Sequence, residues 1–306
     1  MKAVFIDRFG GPEVLTYGEQ PAPAAGPGQV VVDVAAASVN GADWRVRAGQ
    51  YADAKFPLIL GRDFSGTVSA AAADVHDLKV GDAVFGVLEA GREGAYAEKL
   101  AISAAIIAKK PDALSHVHAA AMALTGLTAV ISIETTLKLQ RGETTLIQGG
   151  AGGVASFAIQ LAKHIGARVI TTSSTANLDY VRGLGADEVI DYNARDFTQA
   201  VSGCDAVFDT VGGDVAMKSF AVLRAGGRAA FIASGPTAPK PERSDVTSLR
   251  PAVGRSRAPL ERIGQLVAAG AVRPPEIKLF PLSQAAEAHR ISEGRHFRGK
   301  LVFQVR

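Results

Sequence analysis

Residues Thr144 to Ala155 read TTLIQGGAGGVA: an apolar run, the glycine-rich stretch Gly149-Gly150-Ala151-Gly152-Gly153, and the start of a helix-like pattern running from Val154 to Lys163. Strand, glycine turn and helix in that order suit a dinucleotide pyrophosphate. Gly150 makes the tight turn, Gly152 lets the backbone approach the phosphates, and Ala155 is small enough for the helix to pack on the strand. The helix N-terminus adds unpaired N–H groups and the positive end of its dipole. Gly150, Ala151, Gly152, Gly153 and Val154 are therefore the candidate phosphate cradle. Glycines also collect in ordinary turns, so the flanking sequence has to decide.

Downstream lie the apolar runs Arg168 to Thr172, Glu188 to Asp191, Ala206 to Asp209 and Arg228 to Ile232, separated by helix-like stretches such as Asn177 to Leu184 and Val215 to Leu223. Continuous β-branched strands, each followed by a helix, indicate a parallel sheet covered on both faces. The expected fold here is an α/β doubly wound Rossmann domain over residues 116–250.

With 306 residues, 47% of them hydrophobic, the chain can build two domains. Its formal charge of +3 suits an anionic ligand, but no basic stripe with interleaved aromatics marks a nucleic-acid surface. Cys204 is the only cysteine, which excludes an intramolecular disulfide and reads as a small buried thiol at a strand start. The N-terminal Met1 to Ile6 lacks the pattern of a secretory signal. The most apolar stretch, Ala119 to Ile133, reads as too short and too interrupted to span a bilayer. These features lead us to expect a cytoplasmic protein with no membrane and no nucleic-acid partner.

Before the nucleotide fold the pattern changes to short strands with frequent glycine and proline: Val30 to Val34, Gly66 to Val68, Asp82 to Gly86 and Gly94 to Leu100. Such punctuation suggests a small antiparallel barrel. Leu260 to Ala269 reads as a helix and Gly299 to Val305 as a last strand, which most simply returns to the barrel. The expected division is 1–115 for the first part of the barrel domain, 116–250 for the nucleotide domain and 251–306 for the return.

Seven motifs in order, Phe9-Gly10-Gly11-Pro12-Glu13-Val14-Leu15, Ser38-Val39-Asn40-Gly41-Ala42-Asp43, Gly61-Arg62-Asp63-Phe64-Ser65-Gly66, Val80 to Val84, Leu124 to Ala129, the GGAGGVA turn and Arg298-Gly299-Lys300, resemble the zinc-independent quinone oxidoreductase branch of the medium-chain dehydrogenase/reductases. The resemblance covers essentially the whole chain. It implies a GroES-like β-barrel built from both chain ends, a Rossmann domain between them, a cofactor in the cleft, and a homodimer joined through the Rossmann sheets. Zinc-dependent relatives place a cysteine near Val39-Asn40, a histidine-glutamate pair at Arg62-Asp63, and a four-cysteine lobe after Gly86. This chain has none of them, so no metal is expected.

The second strand of the nucleotide fold ends Thr171-Thr172-Ser173-Ser174-Thr175-Ala176-Asn177. It lacks the carboxylate that would bond a ribose 2′-hydroxyl and repel a 2′-phosphate, while Ser173, Ser174 and Asn177 offer neutral donors. NADPH is therefore the expected cofactor. The resemblance puts the Tyr192 hydroxyl beside the 2′-phosphate; a basic residue often found near Leu178 is missing. It also assigns Asn40, Asp43 and Thr125 to the cleft, with Asn40 and Asp43 positioning substrate and nicotinamide. Val211, Gly212, Ile232 and Ala233 follow the fourth and fifth strands, at the carboxyl ends where such sheets bind ligands, and Lys300 closes the site. Taken singly, Asn40 could cap a turn, Asp43 begin a short helix and Lys300 be solvated; their joint placement favours the cleft.

With no zinc and no serine-tyrosine-lysine constellation, a simple ketone or aldehyde would be little activated. A quinone, or a 2-enal or enone, delocalises the arriving charge. The expected activity is NADPH-dependent reduction of quinones or other conjugated carbonyl compounds by direct hydride transfer. The alternatives are a 2-enal or enone double-bond reductase and a non-catalytic NADPH-sensing or RNA-binding protein. Tyr51 and Trp44 are candidate stacking residues, and the Arg- and Pro-rich segment Pro236 to Pro259 reads as a solvated connection or a flap.

Overall fold

The computed structural model describes residues 1–50 and 54–306, so Tyr51 lies outside the described residues. In chain order, β1 (Lys2–Ile6) pairs antiparallel with β2 (Thr16–Glu19), and β3 (Gln29–Val39) leads into the short helix α1 (Gly41–Arg47). There follow β4 (Leu58–Ile59), β5 (Asp63–Ala71), β6 (Ala83–Val87), β7 (Lys99–Ser103) and β8 (Ile107–Lys109). Helix α2 (His116–Val130) precedes the alternating run β9 (Thr144–Ile147), α3 (Gly153–Ile165), β10 (Arg168–Ser173), α4 (Leu178–Arg182), β11 (Glu188–Asp191), β12 (Cys204–Asp209), α5 (Gly213–Lys218), β13 (Leu223–Phe231) and β14 (Thr247–Leu249). The chain ends with α6 (Arg257–Ala268), β15 (Ile277–Pro281), α7 (Ala285–Gly294) and β16 (Lys300–Gln304).

Two compact units result, one of residues Met1–Leu124, Gly254–Ala268 and Pro274–Arg306, the other of Thr125–Val253 and Ala269–Arg273. Against the expected boundaries at 115/116 and 250/251, the first division falls inside α2, a position that periodicity alone does not mark.

The second unit carries one sheet in the order β11-β10-β9-β12-β13-β14, all neighbours parallel. Relative to β9 this is the 3-2-1-4-5-6 order of a dinucleotide-binding domain, with its switch point between β9 and β12. Its inner strands are mostly buried because helices cover the sheet: Leu146, Ile170, Ile190, Val207, Ala229 and Phe231 share one core cluster. Cys204 is buried at the start of β12, where burial pushes its thiol up to about 11.

In the first unit, a seven-stranded sheet runs β15-β16-β3-β5-β6-β8, with β7 also on β3. The last strand does return to the N-terminal segment, Leu301 to Gln304 pairing antiparallel with Val39 to Ala36. The expected strand Gly94 to Leu100 is displaced to Lys99–Ser103. Gly94 and Ala95 instead donate their N–H groups to the Gly61 carbonyl at 2.9 and 3.0 Å, and Tyr96 exchanges backbone bonds with Leu60 and Val4.

Helix α2 continues through Ile131–Thr136, where the turn widens and the Leu137 N–H bonds Ser132 O, five residues back, at 2.8 Å. The joined helix has 21 residues and a mean hydropathy of 1.5, long and apolar enough to cross a membrane by length and composition. That corrects the expectation of a stretch too short to span. In this fold 72% of its most apolar window is buried, as in a core helix.

The Arg- and Pro-rich segment is solvated along most of its length, as expected, but is tied down at its arginines. Arg243 donates to the Phe220 and Leu223 carbonyls, Arg250 to Phe231 O, Arg255 to Leu88 O and Arg257 to Ile107 O.

Candidate active site

In the second unit the glycine turn follows β9. The left-handed residue is Gly149, at φ +75°, so Gly149 rather than Gly150 makes the tight turn. Gly150 is required for a different reason: a methyl group there would lie 2.5 Å from Thr171 Oγ1 on β10. The Gly150 N–H bonds Thr172 O at 2.8 Å and the Gly149 N–H bonds Thr172 Oγ1 at 3.1 Å, which fixes the turn against β10. Gly152 then caps α3 with no side-chain acceptor, and Ala155 is fully buried against the sheet. An uncapped helix N-terminus behind a loop of four glycines and one alanine fits a pyrophosphate.

Beside this turn the carboxyl ends of β12 and β13 converge. Asp209, buried at the end of β12, accepts the N–H groups of Val211 and Gly212, each at 3.0 Å, and its own carbonyl accepts the Ile232 N–H at 3.2 Å. Burial pushes the Asp209 carboxyl up, while those two backbone donors oppose the shift. The N–H groups of Val211 and Gly212 are thus held by Asp209, and what these residues present is surface, Val211 being 40% exposed. At the end of β10, Ser173 is buried with its Oγ unpaired among the described residues, so of the two serines Ser174 faces outward, its Oγ accepting from Asn177 Nδ2 at 3.0 Å. Tyr192 is half exposed, and its N–H bonds Ser173 O at 3.1 Å.

The first unit holds a buried polar cluster around Asn40. Lys300, on β16, places Nζ 2.7 Å from Val39 O and 2.8 Å from Asn40 Oδ1; Asn40 Nδ2 donates to Asp63 Oδ1 at 2.9 Å. Asp63 also accepts from the Ser38 hydroxyl at 2.8 Å and the Leu124 N–H at 3.3 Å. Asp43 Oδ2 accepts from the Asn40 N–H at 2.8 Å and from the Tyr96 hydroxyl at 2.6 Å. Asn40 therefore both precedes α1, with Asp43 reaching back to its N–H as a capping residue does, and links Lys300 to Asp63. Arg62 lies 2.6 Å from Glu93 Oε1 and 3.8 Å from Asp43 Oδ1.

Burial dominates the titration of these groups, pushing the Asp43, Asp63 and Glu93 carboxyls up and drawing the Lys300 ammonium down. Arg62 pulls Asp43 back, and Lys300 does the same for Asp63. Gly61 explains its own place in the motif: at φ +92°, a side chain there would strike the Tyr96 ring at 2.2 Å.

Of the expected site residues, Asn40, Asp43 and Lys300 come together in the first unit. Gly150 to Val154, Ser174, Asn177, Tyr192, Val211, Gly212, Ile232 and Ala233 lie at the strand ends of the second, where Thr125 is buried in α2. Trp44 is no free platform, since the guanidinium groups of Arg45 and Arg295 sit 5.3 and 6.0 Å from its ring centre. Sequence reading passed over Asp63, Arg62, Glu93 and Tyr96 as partners of Asn40 and Asp43. Arg62 and Asp63 fall both in the Gly61-to-Gly66 motif and at the missing histidine-glutamate pair, and an ionisable pair inside a strand-entry motif is the signal available for them.

The donor set does not fit zinc. Among the described residues no group of three or more His, Cys, Asp or Glu side chains is arranged to hold a metal ion, and the buried carboxylates are already engaged by Arg62 and by neutral donors.

A family model described as an alcohol dehydrogenase GroES-like domain matches residues 26–112, and one described as a zinc-binding dehydrogenase matches residues 184–303. The chain is 32% identical over 316 residues to the NADPH-dependent alkenal/one oxidoreductase, chloroplastic, of Arabidopsis thaliana, covering 99% of this chain and 79% of the relative. The quinone oxidoreductase from Coxiella burnetii superposes with a TM-score of 0.94 at 36% identity, over 100% of this chain and 99% of that one. The Escherichia coli quinone oxidoreductase complexed with NADPH gives 0.90 at 28% identity over all of both chains. Fold and sequence together define a two-domain oxidoreductase architecture. The chain belongs to the quinone oxidoreductase type of the medium-chain dehydrogenase/reductase superfamily.

Proposed function

We propose that this protein is an NADPH-dependent oxidoreductase that reduces quinones and other conjugated carbonyl compounds by direct hydride transfer, without a protein-bound metal. One observation carries the reading. The buried cluster of Asn40, Asp43, Asp63 and Lys300, together with Arg62 beside Asp43, consists of hydrogen-bonding groups whose two carboxyls are matched by two cations, so it can orient a substrate but has no strong electrophile to polarise a lone carbonyl. A conjugated acceptor needs less help, because it spreads the arriving charge over several atoms. The names of the relatives, quinone and alkenal/one oxidoreductases, support the same substrate class.

NADPH, when bound, supplies the hydride. The chain's own residues bind and orient. The turn Gly149–Gly153 and the N-terminus of α3 hold the pyrophosphate; Ser174, Asn177 and Tyr192 meet the adenosine ribose. Asn40, held between Lys300 and Asp63, is fixed in one rotamer and one amide orientation, the condition for positioning a reacting partner.

The test follows NADPH absorbance with a quinone, an enone and a saturated aldehyde in parallel. Turnover is expected with at least one conjugated acceptor and at best weakly with the aldehyde. A saturated aldehyde preferred over every conjugated compound, or a requirement for added flavin, would overturn the proposal.

A further inference from the structure

The loop after β10 does contain a carboxylate, delivered from the neighbouring strand. In the parallel register Ser173, the last residue of β10, stands opposite Asp191, the last of β11. Thr175 Oγ1 donates to Asp191 Oδ2 at 2.6 Å, the Asn193 N–H donates to Asp191 Oδ1 at 3.0 Å, and Asn193 Nδ2 reaches Thr175 Oγ1 at 3.3 Å. The Tyr192 N–H closes the same junction on Ser173 O, and the Asn177 N–H returns to Ser174 O at 2.9 Å.

Ser174, Thr175, Asn177, Asp191, Tyr192 and Asn193 thus form one platform whose only formal charge is the Asp191 carboxylate. Among the described residues, no lysine, arginine or histidine side chain bonds or pairs with any of the six. Leu178 follows directly, where a cation would otherwise offset that charge.

A Rossmann domain reads the adenosine ribose at the end of its second strand. A carboxylate there accepts from a 2′-hydroxyl and repels a 2′-phosphate. We infer that Asp191 is a specificity-determining residue of this chain: its charge holds down the preference for NADPH over NADH that the surrounding hydroxyls permit. The inference rests on the nucleotide-binding reading above and deepens it. Residues 171–177 show no acid because the acid lies 16 residues beyond Thr175 in sequence and reaches it only through sheet register.

The experiment is calorimetric titration of the full-length chain with 2′,5′-ADP and 5′-AMP, then with NADPH and NADH, before and after Asp191→Asn. Asparagine keeps an acceptor for Thr175 and loses the charge. Asp191→Asn is expected to tighten 2′,5′-ADP and NADPH about five- to tenfold and to leave 5′-AMP and NADH within about twofold, the gain shrinking as salt is raised. Asp191→Glu, which keeps the charge, is expected to behave as wild type. Should Asp191→Asn not fold, as judged by its melting curve, Asp191→Ser is titrated in its place with the same expectation.

Equal changes for the members of each pair, or no change, would overturn the inference while leaving nucleotide binding intact. Failure of the wild-type chain to bind any of the four nucleotides would overturn the nucleotide reading and this inference with it.

Discussion

At the scale of single residues, the buried side chains beyond the Asn40 cluster carry their own pH signature. His289 is fully buried; its Nδ1 lies 3.1 Å from Arg47 Nη1, and its Nε2 has no partner among the described residues. Arg47, itself buried, also donates to Gly10 O and pairs with Glu293. Burial first, and the Arg47 charge second, lower the His289 pKa to about 3. The unfolded chain therefore takes up a proton near the ordinary histidine value that the folded chain refuses. The contribution is fully present above that value and is lost as pH falls from about 6.5 toward about 3. Between about pH 7.5 and about pH 5 this amounts to roughly 2 kcal/mol of stability. Asp43 and Glu93, with raised pKa values, act in the opposite sense, so the histidine part is read as a difference between variants. In urea unfolding, His289→Gln, which keeps an acceptor for Arg47, should lose about 2 kcal/mol less than wild type over that interval. Identical pH dependence in the two proteins would mean that His289 titrates in the fold as it does in the unfolded chain, and would overturn this reading.

At the scale of elements, the segment from β9 to α3 was the most legible part of the chain. Its strand is short and apolar, its turn is almost all glycine, and its helix buries Ala155, Ala158, Ile159 and Ala162 on one side. Which glycine does what was not legible. Gly149 takes the left-handed conformation, while Gly150 is constrained by Thr171, a residue of the next strand that only sheet pairing brings close. Gly150→Ala should therefore force the turn away from β10. Affinity for NADPH is expected to fall at least about tenfold, with a loss of stability of about 1–3 kcal/mol from overpacking. Titration calorimetry and thermal melting separate the two effects, and a variant with unchanged affinity would remove the turn from the binding site. The strand expected at Gly94 to Leu100 is displaced for a related reason: Gly94 and Ala95 donate to Gly61 O and Tyr96 to Leu60 O, bonds that no local pattern encodes.

For the whole molecule, the return of the last strand to the first unit was readable as the simplest course for a closing strand, while its parallel pairing with β15 on the other side was not. Nor was the consequence of that return: Lys300 meets Asn40 across 260 positions, and the cluster of Ser38, Asn40, Asp63 and Lys300 exists only once β16 has paired with β3. That assembly bears on the metal question raised by the name of the family model matching residues 184–303. Asp63 is bonded by Ser38, Asn40 and the Leu124 N–H, while Glu93 and Asp43 flank Arg62. A zinc ion would have to displace Arg62 from Asp43 and Glu93, and among the described residues no group of three His, Cys, Asp or Glu side chains is arranged to ligate it. Replacing a matched buried cation by a poorly ligated one leaves charge unsatisfied, a change that costs several kcal/mol. Exhaustive chelation of the purified protein is therefore expected to leave NADPH-dependent turnover of a quinone or enone unchanged, and elemental analysis to find only substoichiometric zinc. Stoichiometric zinc lost together with activity on chelation, and both restored by adding the metal back, would show that the Asp43, Asp63 and Glu93 carboxylates rearrange around an ion and would overturn the assignment of this cluster as a metal-free positioning site.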